Sequence, residues 1–122
     1  MREKVNDGAR IALMLESIGN IEEFLSGCVS YQNFVANKVL CHAVIYNLQC
    51  IGESTYMLSK AFRVSHPEMD WDAIAGLRHV LVHDYYQVNM ETVWGVIQKD
   101  LQPLKTFLEL LITSVDPGCP AP

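Results

Sequence analysis

The sequence predicts an all-α protein with the architecture of an up-and-down four-helix bundle. Apolar residues recur at steps of three and four along almost the whole chain, which is the spacing that places them on one face of a helix. No stretch alternates apolar and polar residues in the way that predicts a β-strand. With 122 residues, half of them apolar, the chain is long enough for one domain with a substantial core and too short for two. Four helices of this length would bury their apolar faces against one another.

The first predicted helix runs from about residue 5 to 27, and Gly27 is expected to help to end it. Residues 26–34 are predicted to form a connector with one helical turn. The apolar stripe of the first helix consists of Ile11, Met14, Ile18, Ile21, Leu25 and Cys28.

The second predicted helix, from about Asn37 to Phe62, is apolar on two faces. One face carries Val39, Ala43, Tyr46, Cys50 and Met57, and the other carries Leu40, Val44, Leu48, Ile51 and Leu58. In so short a chain, the second face is a candidate contact with another subunit. Gly52 lies in mid-helix, where glycine costs about 1 kcal/mol relative to alanine, so we expect another backbone to pack closely against it.

The third predicted helix is short, from Trp71 to about His83, with Asp70 as its N-cap. It follows a predicted turn at residues 65–68. Residues 85–89 are predicted to form the loop that leads to the last helix.

The fourth predicted helix runs from about Met90 to Ile112, with Asn89 as its N-cap. Pro103 has no amide donor and is expected to kink or restart this helix. We therefore assign residues 1–115 to a single helical domain and residues 116–122, which are rich in proline, to a flexible tail.

The charge and hydropathy of the chain limit its partners. The net charge of −5 argues against a protein that coats DNA or RNA non-specifically, because such contacts come from clustered Lys and Arg; a small site with one or two local cations is compatible with it. No apolar run approaches the roughly 20 residues that span a bilayer. The N-terminal MREKVNDGAR lacks the apolar core of a signal peptide. We expect a cytoplasmic protein with neither DNA nor a membrane as a partner.

The four cysteines, Cys28, Cys41, Cys50 and Cys119, form no CxxC pair. Cys41 and Cys50 are nine residues apart, so a continuous helix would point them in opposite directions. We expect reduced thiols in the core rather than disulfides or a zinc site.

The stretch LRHVLVHDYY, residues 77–86, concentrates one arginine, two histidines, one aspartate and two tyrosines. The simplest interpretation is a short core helix in which Leu77, Leu81 and Val82 face inwards and the polar residues face solvent. A second interpretation is a metal site, because His79 and His83 are four residues apart and share one helix face, with Asp84 beside them. Zinc requires three or four ligands, and the chain has neither HExxH nor a cysteine pair to complete them, so no metal is expected.

A third interpretation is metal-free phosphodiester chemistry. The imidazole of His83 can act as a general acid or base near neutral pH, and the guanidinium of Arg78 can hold a phosphate through two hydrogen bonds. On a straight helix these two residues lie about 140° apart. They converge if the helix ends at His83, or if a two-fold axis brings two copies of the segment together. Tyr85 would share the face of Arg78 if the helix continued that far.

The spacing of Arg78, His83 and Tyr85 resembles the RX4HXY motif of HepT-like toxins in the HEPN superfamily of small α-helical proteins. The likeness extends from about Asp7 to Leu111. It includes AVIYNLQCIGES (residues 43–54), which is similar to the asparagine and IGE stretch of that family, the preceding W-x-x-I-x-G-L-R, and the VW and DLQPLK segments of the last helix.

The resemblance implies a homodimeric, metal-independent ribonuclease without a cofactor, the toxin of a bacterial type VII-like toxin–antitoxin system. Arg78 and His83 would be the catalytic pair, in a cleft at the dimer interface. A 2′-hydroxyl would attack the neighbouring phosphorus, with His83 assisting proton transfer and Arg78 balancing the phosphate charge. The implied partner is a minimal nucleotidyltransferase antitoxin that adds AMP to Tyr85, and the added phosphate would compete with RNA for the cation and fill the cleft.

Four further residues are possible cleft residues: His79, Asp84, Asn47 and Glu53. His79 stands where close relatives of the family usually have asparagine, a departure that leaves the catalytic pair intact. Asp84 could orient an imidazole, and Asn47 and Glu53 could instead satisfy buried backbone or make inter-subunit hydrogen bonds. The alternative function is a non-catalytic scaffold that docks a nucleotidyltransferase, which the acidic net charge favours.

Overall fold

The computed structural model describes residues 6–28, 30–78 and 89–115, with side chains as far as Ile112. These residues form seven α-helices and contain no strand, which confirms the predicted all-α class. The helices are α1 (Asp7–Phe24), α2 (Tyr31–Ala36), α3 (Lys38–Tyr56), α4 (Lys60–Ser65), α5 (Trp71–Ala75), α6 (Met90–Lys99) and α7 (Leu101–Val115). The predicted tail, residues 116–122, lies outside the described residues, and the single domain over residues 1–115 stays a prediction.

Short polar side chains begin most of these helices. The predicted caps are confirmed: Asp70 accepts from the amide of Ala73 at 3.1 Å, and Asn89 accepts from the amide of Glu91 at 2.9 Å. Asn37 accepts from the amide of Leu40 in the same way at the start of α3. Such caps satisfy amides that have no partner within the helix, and each contributes about 1 kcal/mol.

The predicted second helix is too long at its C-terminal end, because α3 stops at Tyr56 and a separate helix, α4, follows. Ser59 has an extended conformation, and its hydroxyl caps α4 by accepting from the amide of Phe62. The carboxylate of Asp7 accepts from both the amide and the hydroxyl of Ser59, at 2.8 and 2.7 Å. This contact with the start of α1 ties the chain at the point where the helix breaks.

Two other predicted boundaries are corrected, and a third is confirmed. The first helix is shorter than predicted, and Gly27 follows its end with a φ of +87°, in the left-handed region that favours glycine. The third predicted helix is interrupted at Gly76, after which Leu77 and Arg78 are again helical. The fourth restarts at Leu101 as expected, since Pro103 lies in the first turn of α7, where a missing amide donor costs no helical hydrogen bond.

The core forms around α3, which packs against α1 and α5, while α7 packs against α1 and α6. Of the two apolar faces expected for this helix, the one that carries Val44, Leu48 and Ile51 lies in the core, with these three residues almost completely buried. The opposite face of α3 is exposed: Val39 is 80% exposed and Tyr46 is 64% exposed. The helix therefore has one apolar face in the core and a second whose largest side chains are exposed among the described residues.

The three cysteines of the described residues are free thiols; Cys41 lies in the core as expected, whereas Cys28 and Cys50 are only partly buried, and Cys119 lies outside those residues. Cys41 is buried, and its thiol donates to the carbonyl oxygen of Phe34 at 3.3 Å. Burial, followed by the nearby Cys28, raises the pKa of the Cys41 thiol. Among the described helices, none is both long and apolar enough to cross a membrane.

Candidate functional site

Arg78 lies directly against the middle of α3 at Gly52. A β-carbon at Gly52 would lie 2.6 Å from the backbone nitrogen of Arg78 and 3.2 Å from the β-carbon of Leu77. The carbonyl oxygen of Ala75 would be 3.3 Å away. Because no side chain fits in this space, glycine allows residues 75–78 to pack on the helix, which confirms the close backbone approach predicted from the sequence.

The side chain of Arg78 contacts two residues of the same helix. Its Nη1 lies 3.7 Å from Oε1 of Glu53, which is an ion pair at a distance longer than a hydrogen bond. Its Cζ lies 3.6 Å from the centre of the Tyr56 ring, which is a cation–π contact. Gly52, Glu53 and Tyr56, three residues of α3, therefore form the Arg78 seat.

The guanidinium is held in a way that leaves it able to bind an anion. The ring of Tyr56 contacts its flat face, whereas the N–H donors of arginine project from its edge. The Glu53 side chain is 55% exposed, so water weakens its attraction for Arg78. The buried Nε of Arg78 has no hydrogen-bond partner among the described residues. A phosphate group offers the two acceptor oxygens that match such an edge.

Asn47 is buried and lies one turn and a half before Glu53 on α3. Its amide nitrogen donates to the carbonyl oxygen of Ala43 at 2.8 Å, and its oxygen accepts from the side chain of Asn20 at 3.1 Å. These bonds link α3 to α1 and use both ends of the amide. The bond to Ala43 is the kind expected if Asn47 satisfies buried backbone, and a role for Asn47 in the cleft stays a prediction.

Asn47 and Glu53 both border a shallow groove of about 340 Å³ between α1 and α3. Its walls include Leu13 and Tyr46, which are 43% and 64% exposed. A hydrogen bond with the neighbouring Cys50 raises the pKa of the Tyr46 phenol. The groove is thus a partly apolar surface that adjoins the Arg78 seat through Glu53.

The other predicted site residues, His79, His83, Asp84 and Tyr85, lie outside the described residues. Their geometry relative to Arg78 stays a prediction. Within the described part of the chain, no three residues of the metal-binding types are placed to share an ion.

Tyr56 is the functional candidate that the sequence analysis missed. A signal for it exists, because Tyr56 is three residues after Glu53 and four after Gly52, the spacings that place side chains on one side of a helix. What the spacing does not show is that Arg78, 22 residues further along, lies over that side.

Comparison with known proteins gives matches over most of the chain. The family model described as ribonuclease HepT-like matches residues 14–111. A protein of Methanocaldococcus jannaschii, named as an inferred RNase, is 31% identical over 98 residues, which cover 80% of this chain and 89% of that protein. A protein of Thermococcus cleftensis, named as an inferred ribonuclease HepT, is 33% identical over 96 residues, covering 79% and 86% of the two chains.

A third relative, from Caldanaerobacter subterraneus subsp. tengcongensis and also named as an inferred RNase, is 38% identical over 77 residues. These residues cover 63% of this chain and 69% of that protein. No solved structure matches the chain significantly. The match to the family model confirms the family and the enzyme class predicted from the sequence. Since this match spans both the Arg78 seat and the RX4HXY segment, the chain belongs to the ribonuclease HepT-like family.

Proposed function

We propose that the protein is the ribonuclease toxin of a type VII-like toxin–antitoxin system and that it cuts RNA in the cytoplasm without a metal ion. The observation that carries the proposal is the Arg78 seat. Gly52 fixes the backbone of Arg78, and Tyr56 supports the face of its guanidinium. Together they present one permanent cation at the surface of an otherwise acidic protein, which suits a local phosphate site rather than a broad RNA-coating surface.

The reaction we propose is an attack within the RNA chain. The 2′-oxygen forms a bond to the adjacent phosphorus while the bond to the 5′-oxygen of the next nucleotide breaks, which leaves a 2′,3′-cyclic phosphate and a 5′-hydroxyl. His83 takes part in the proton transfer, and Arg78 stabilises the negative charge that builds up on the non-bridging oxygens. His79 and Asp84 are candidate neighbours that would adjust the basicity of His83.

We infer that two chains pair through the exposed apolar face of α3. Val39, Tyr46 and Met57 lie on this face and are all exposed in the single chain. Large apolar patches of this kind usually mark an interaction surface. Glu53 lies on the edge of the same face and contacts Arg78. A second subunit bound to this face would therefore lie next to the Arg78 guanidinium and complete the cleft.

Within each chain, we infer that α1, α3, α5 with its continuation, and the α6–α7 pair are the four helices of an up-and-down bundle. The packing of α3 against α1 and α5, and of α7 against α1, supports this arrangement. The short helices α2 and α4 are then connectors.

We further propose that a nucleotidyltransferase partner silences the enzyme by transferring AMP to the phenol oxygen of Tyr85. The bond between that oxygen and the α-phosphorus of ATP would form as pyrophosphate leaves. The added phosphodiester would lie two residues from His83 and occupy Arg78 in place of RNA.

The catalytic proposal is tested by incubating the purified protein with RNA in excess EDTA, beside a His83→Ala variant prepared in the same way. We expect cleavage by the wild type with a cyclic phosphate end, and loss of cleavage in the variant. Equal cleavage by both, or none by either at high enzyme concentration, would overturn the proposal. Cleavage that EDTA abolishes and zinc restores would point instead to a metal held by His79 and His83.

A non-catalytic scaffold that docks a nucleotidyltransferase is the second candidate. The net charge of −5 favours it, because a nuclease of broad specificity usually presents more cations to its substrate. It predicts tight binding of the nucleotidyltransferase by a His83→Ala variant and no RNA cleavage by the wild type.

A further inference from the structure

We propose that Tyr56 is a positioning residue whose ring holds the Arg78 guanidinium in the orientation that receives an RNA phosphate. The inference rests on the proposed role of Arg78 as the cation of a ribonuclease site. It extends that site to a side chain that is neither part of the RX4HXY segment nor adjacent to it in the sequence.

The contact between the two side chains is close and partly shielded from water. Cζ of Arg78 lies 3.6 Å from the centre of the Tyr56 ring, which is the distance of direct stacking. The Arg78 side chain is only 24% exposed. Tyr56 is 50% exposed, so its ring remains at the surface where a polynucleotide could reach the edge of the guanidinium.

The two neighbours of the guanidinium have opposite effects on its charge. The carboxylate of Glu53 is negative, so at 3.7 Å from Nη1 it competes with a phosphate for the cation. The ring of Tyr56 carries no net charge and contacts the flat face, so it orients the guanidinium without occupying its in-plane donors. Tyr56 is therefore the residue that prepares Arg78 for an anion, and Glu53 is the one that an anion must displace.

The same helix fixes both ends of the arginine. Gly52 allows the backbone nitrogen of Arg78 to lie against α3, and Tyr56, one turn later, contacts the tip of the side chain. A free arginine has many rotamers and would have to lose them on binding each phosphate. Because the contact with Tyr56 already restricts the side chain, less conformational entropy is lost when Arg78 binds a phosphate. Such preorganisation is the basis of charge stabilisation in many active sites.

Three variants test the proposal: Tyr56→Leu removes the ring, Tyr56→Phe keeps the ring and removes the hydroxyl, and Glu53→Gln removes the competing charge. The first measurement needs no catalytic activity. The Nε–Hε resonance of Arg78, identified by its absence in Arg78→Lys, should show an upfield ring-current shift in the wild type and in Tyr56→Phe. The shift should be lost in Tyr56→Leu.

The second measurement is the steady-state cleavage of RNA in EDTA. We expect kcat/KM of Tyr56→Leu to fall by roughly 2- to 30-fold, the range that a cation–π contact contributes, and Tyr56→Phe to restore most of that loss. Glu53→Gln should instead change kcat/KM in the opposite direction, an increase, because it removes a negative charge that competes with the phosphate for Arg78. Thermal unfolding of each variant verifies that Tyr56→Leu, a change at a half-exposed position, is folded.

The outcomes separate this proposal from the proposed function. Wild-type kcat/KM in Tyr56→Leu, or a Tyr56→Phe variant as impaired as Tyr56→Leu, would overturn the role of the ring. Absence of His83-dependent cleavage in the wild type would overturn the proposed function instead. The role of Tyr56 would then be decided by binding of a 2′-O-methyl RNA oligonucleotide, which must be weaker for Tyr56→Leu than for Tyr56→Phe if the proposal is correct.

Discussion

The backbone nitrogen of Arg78 lies 2.6 Å from the position that a β-carbon of residue 52 would occupy, so Gly52 and Arg78 can be neighbours only while residue 52 has no side chain. Real β-carbons do not approach a backbone atom this closely. A substitution at Gly52 must therefore move either α3 or the segment that carries Arg78.

We predict that Gly52→Ala destabilises the protein by about 1–3 kcal/mol, the usual cost of overpacking, although alanine favours a helix more than glycine does. The displaced Arg78 should also lower kcat/KM for RNA, by up to about 100-fold, because a shift of about 1 Å is enough to misplace a catalytic cation. Urea unfolding measures the first effect, and cleavage under conditions where the variant is folded measures the second.

Gly19 provides the matched control, since it lies in the interior of α1 and an added β-carbon would meet nothing within 4 Å. We expect Gly19→Ala to stabilise the protein by about 0.5–1 kcal/mol and to leave cleavage unchanged. A Gly52→Ala variant that behaves like Gly19→Ala would contradict the close approach of Arg78.

Sequence predictions were correct where the interaction that determines the structure joins residues close together in the chain. The caps at Asp70 and Asn89 were predictable because a short polar side chain and its amide are two or three residues apart. The break at Ser59 was not, because the Asp7 carboxylate that ties it is 52 residues away in the sequence. A prediction from hydrophobic periodicity alone therefore continued the second helix past Ser59, where the contact with Asp7 interrupts it.

The same distinction applies to the site. A glycine inside a helix is unfavourable, so Gly52 indicated that another backbone segment packs closely against α3. The sequence did not show which segment that would be. The contact between Tyr56 and Arg78 depends on how α3 and the segment after α5 pack, and no residue spacing encodes that packing. The role of His83 was predicted from the chemistry of its imidazole, and that of Tyr85 from the motif resemblance. The geometry of both residues lies outside the described part of the chain.

The exposed apolar face of α3 leads to a prediction about assembly. Tyr46 is 64% exposed on that face, so Tyr46→Glu should leave the single chain folded while placing a charge in the proposed subunit contact. We expect the mass from light scattering to fall to about half that of the wild type and RNA cleavage to fall with it.

Val64 is the control for this substitution, because it is 67% exposed but lies on α4, outside the face. Val64→Glu should retain both the mass and the activity of the wild type. A monomeric Tyr46→Glu variant with full activity would contradict a cleft shared between subunits. A Tyr46→Glu variant that remains dimeric would show that the subunits meet at a surface other than this face of α3.

The ion pair between Glu22 and Lys105 predicts a dependence of stability on pH. It joins α1 to α7 at 2.9 Å, and the hydrogen bond with Glu22, followed by the charge of that residue, raises the pKa of Lys105 above its ordinary value of 10.5. Because the folded state then holds the proton more tightly than the unfolded chain, the contribution to stability is complete below the ordinary pKa. It is lost as the pH rises through the raised pKa.

We therefore expect Lys105→Met to be less stable than the wild type at about pH 8, and the difference to diminish at a higher pH, where the raised pKa of Lys105 has been passed and its proton is lost. Urea unfolding at both pH values measures it, with Lys99→Met as the control for removal of an exposed lysine on α6. High salt at about pH 8 should also reduce the difference, since the pair is partly exposed. A difference that persists at the higher pH and in salt would assign the loss to the aliphatic part of the side chain.

The last prediction concerns the proposed modification of Tyr85. Co-expression with a nucleotidyltransferase of the proposed antitoxin class should increase its intact mass by whole AMP units and abolish RNA cleavage, because each added phosphate brings negative charge next to Arg78. Tyr85→Phe has no phenol oxygen to accept the AMP, so its mass should stay unmodified and its cleavage should persist in the presence of the partner. Tyr86→Phe, which changes the adjacent tyrosine and keeps Tyr85, should be modified and silenced like the wild type. Mass increments that persist in Tyr85→Phe but disappear in Tyr86→Phe would move the modification to Tyr86, and increments in both would place it at another residue.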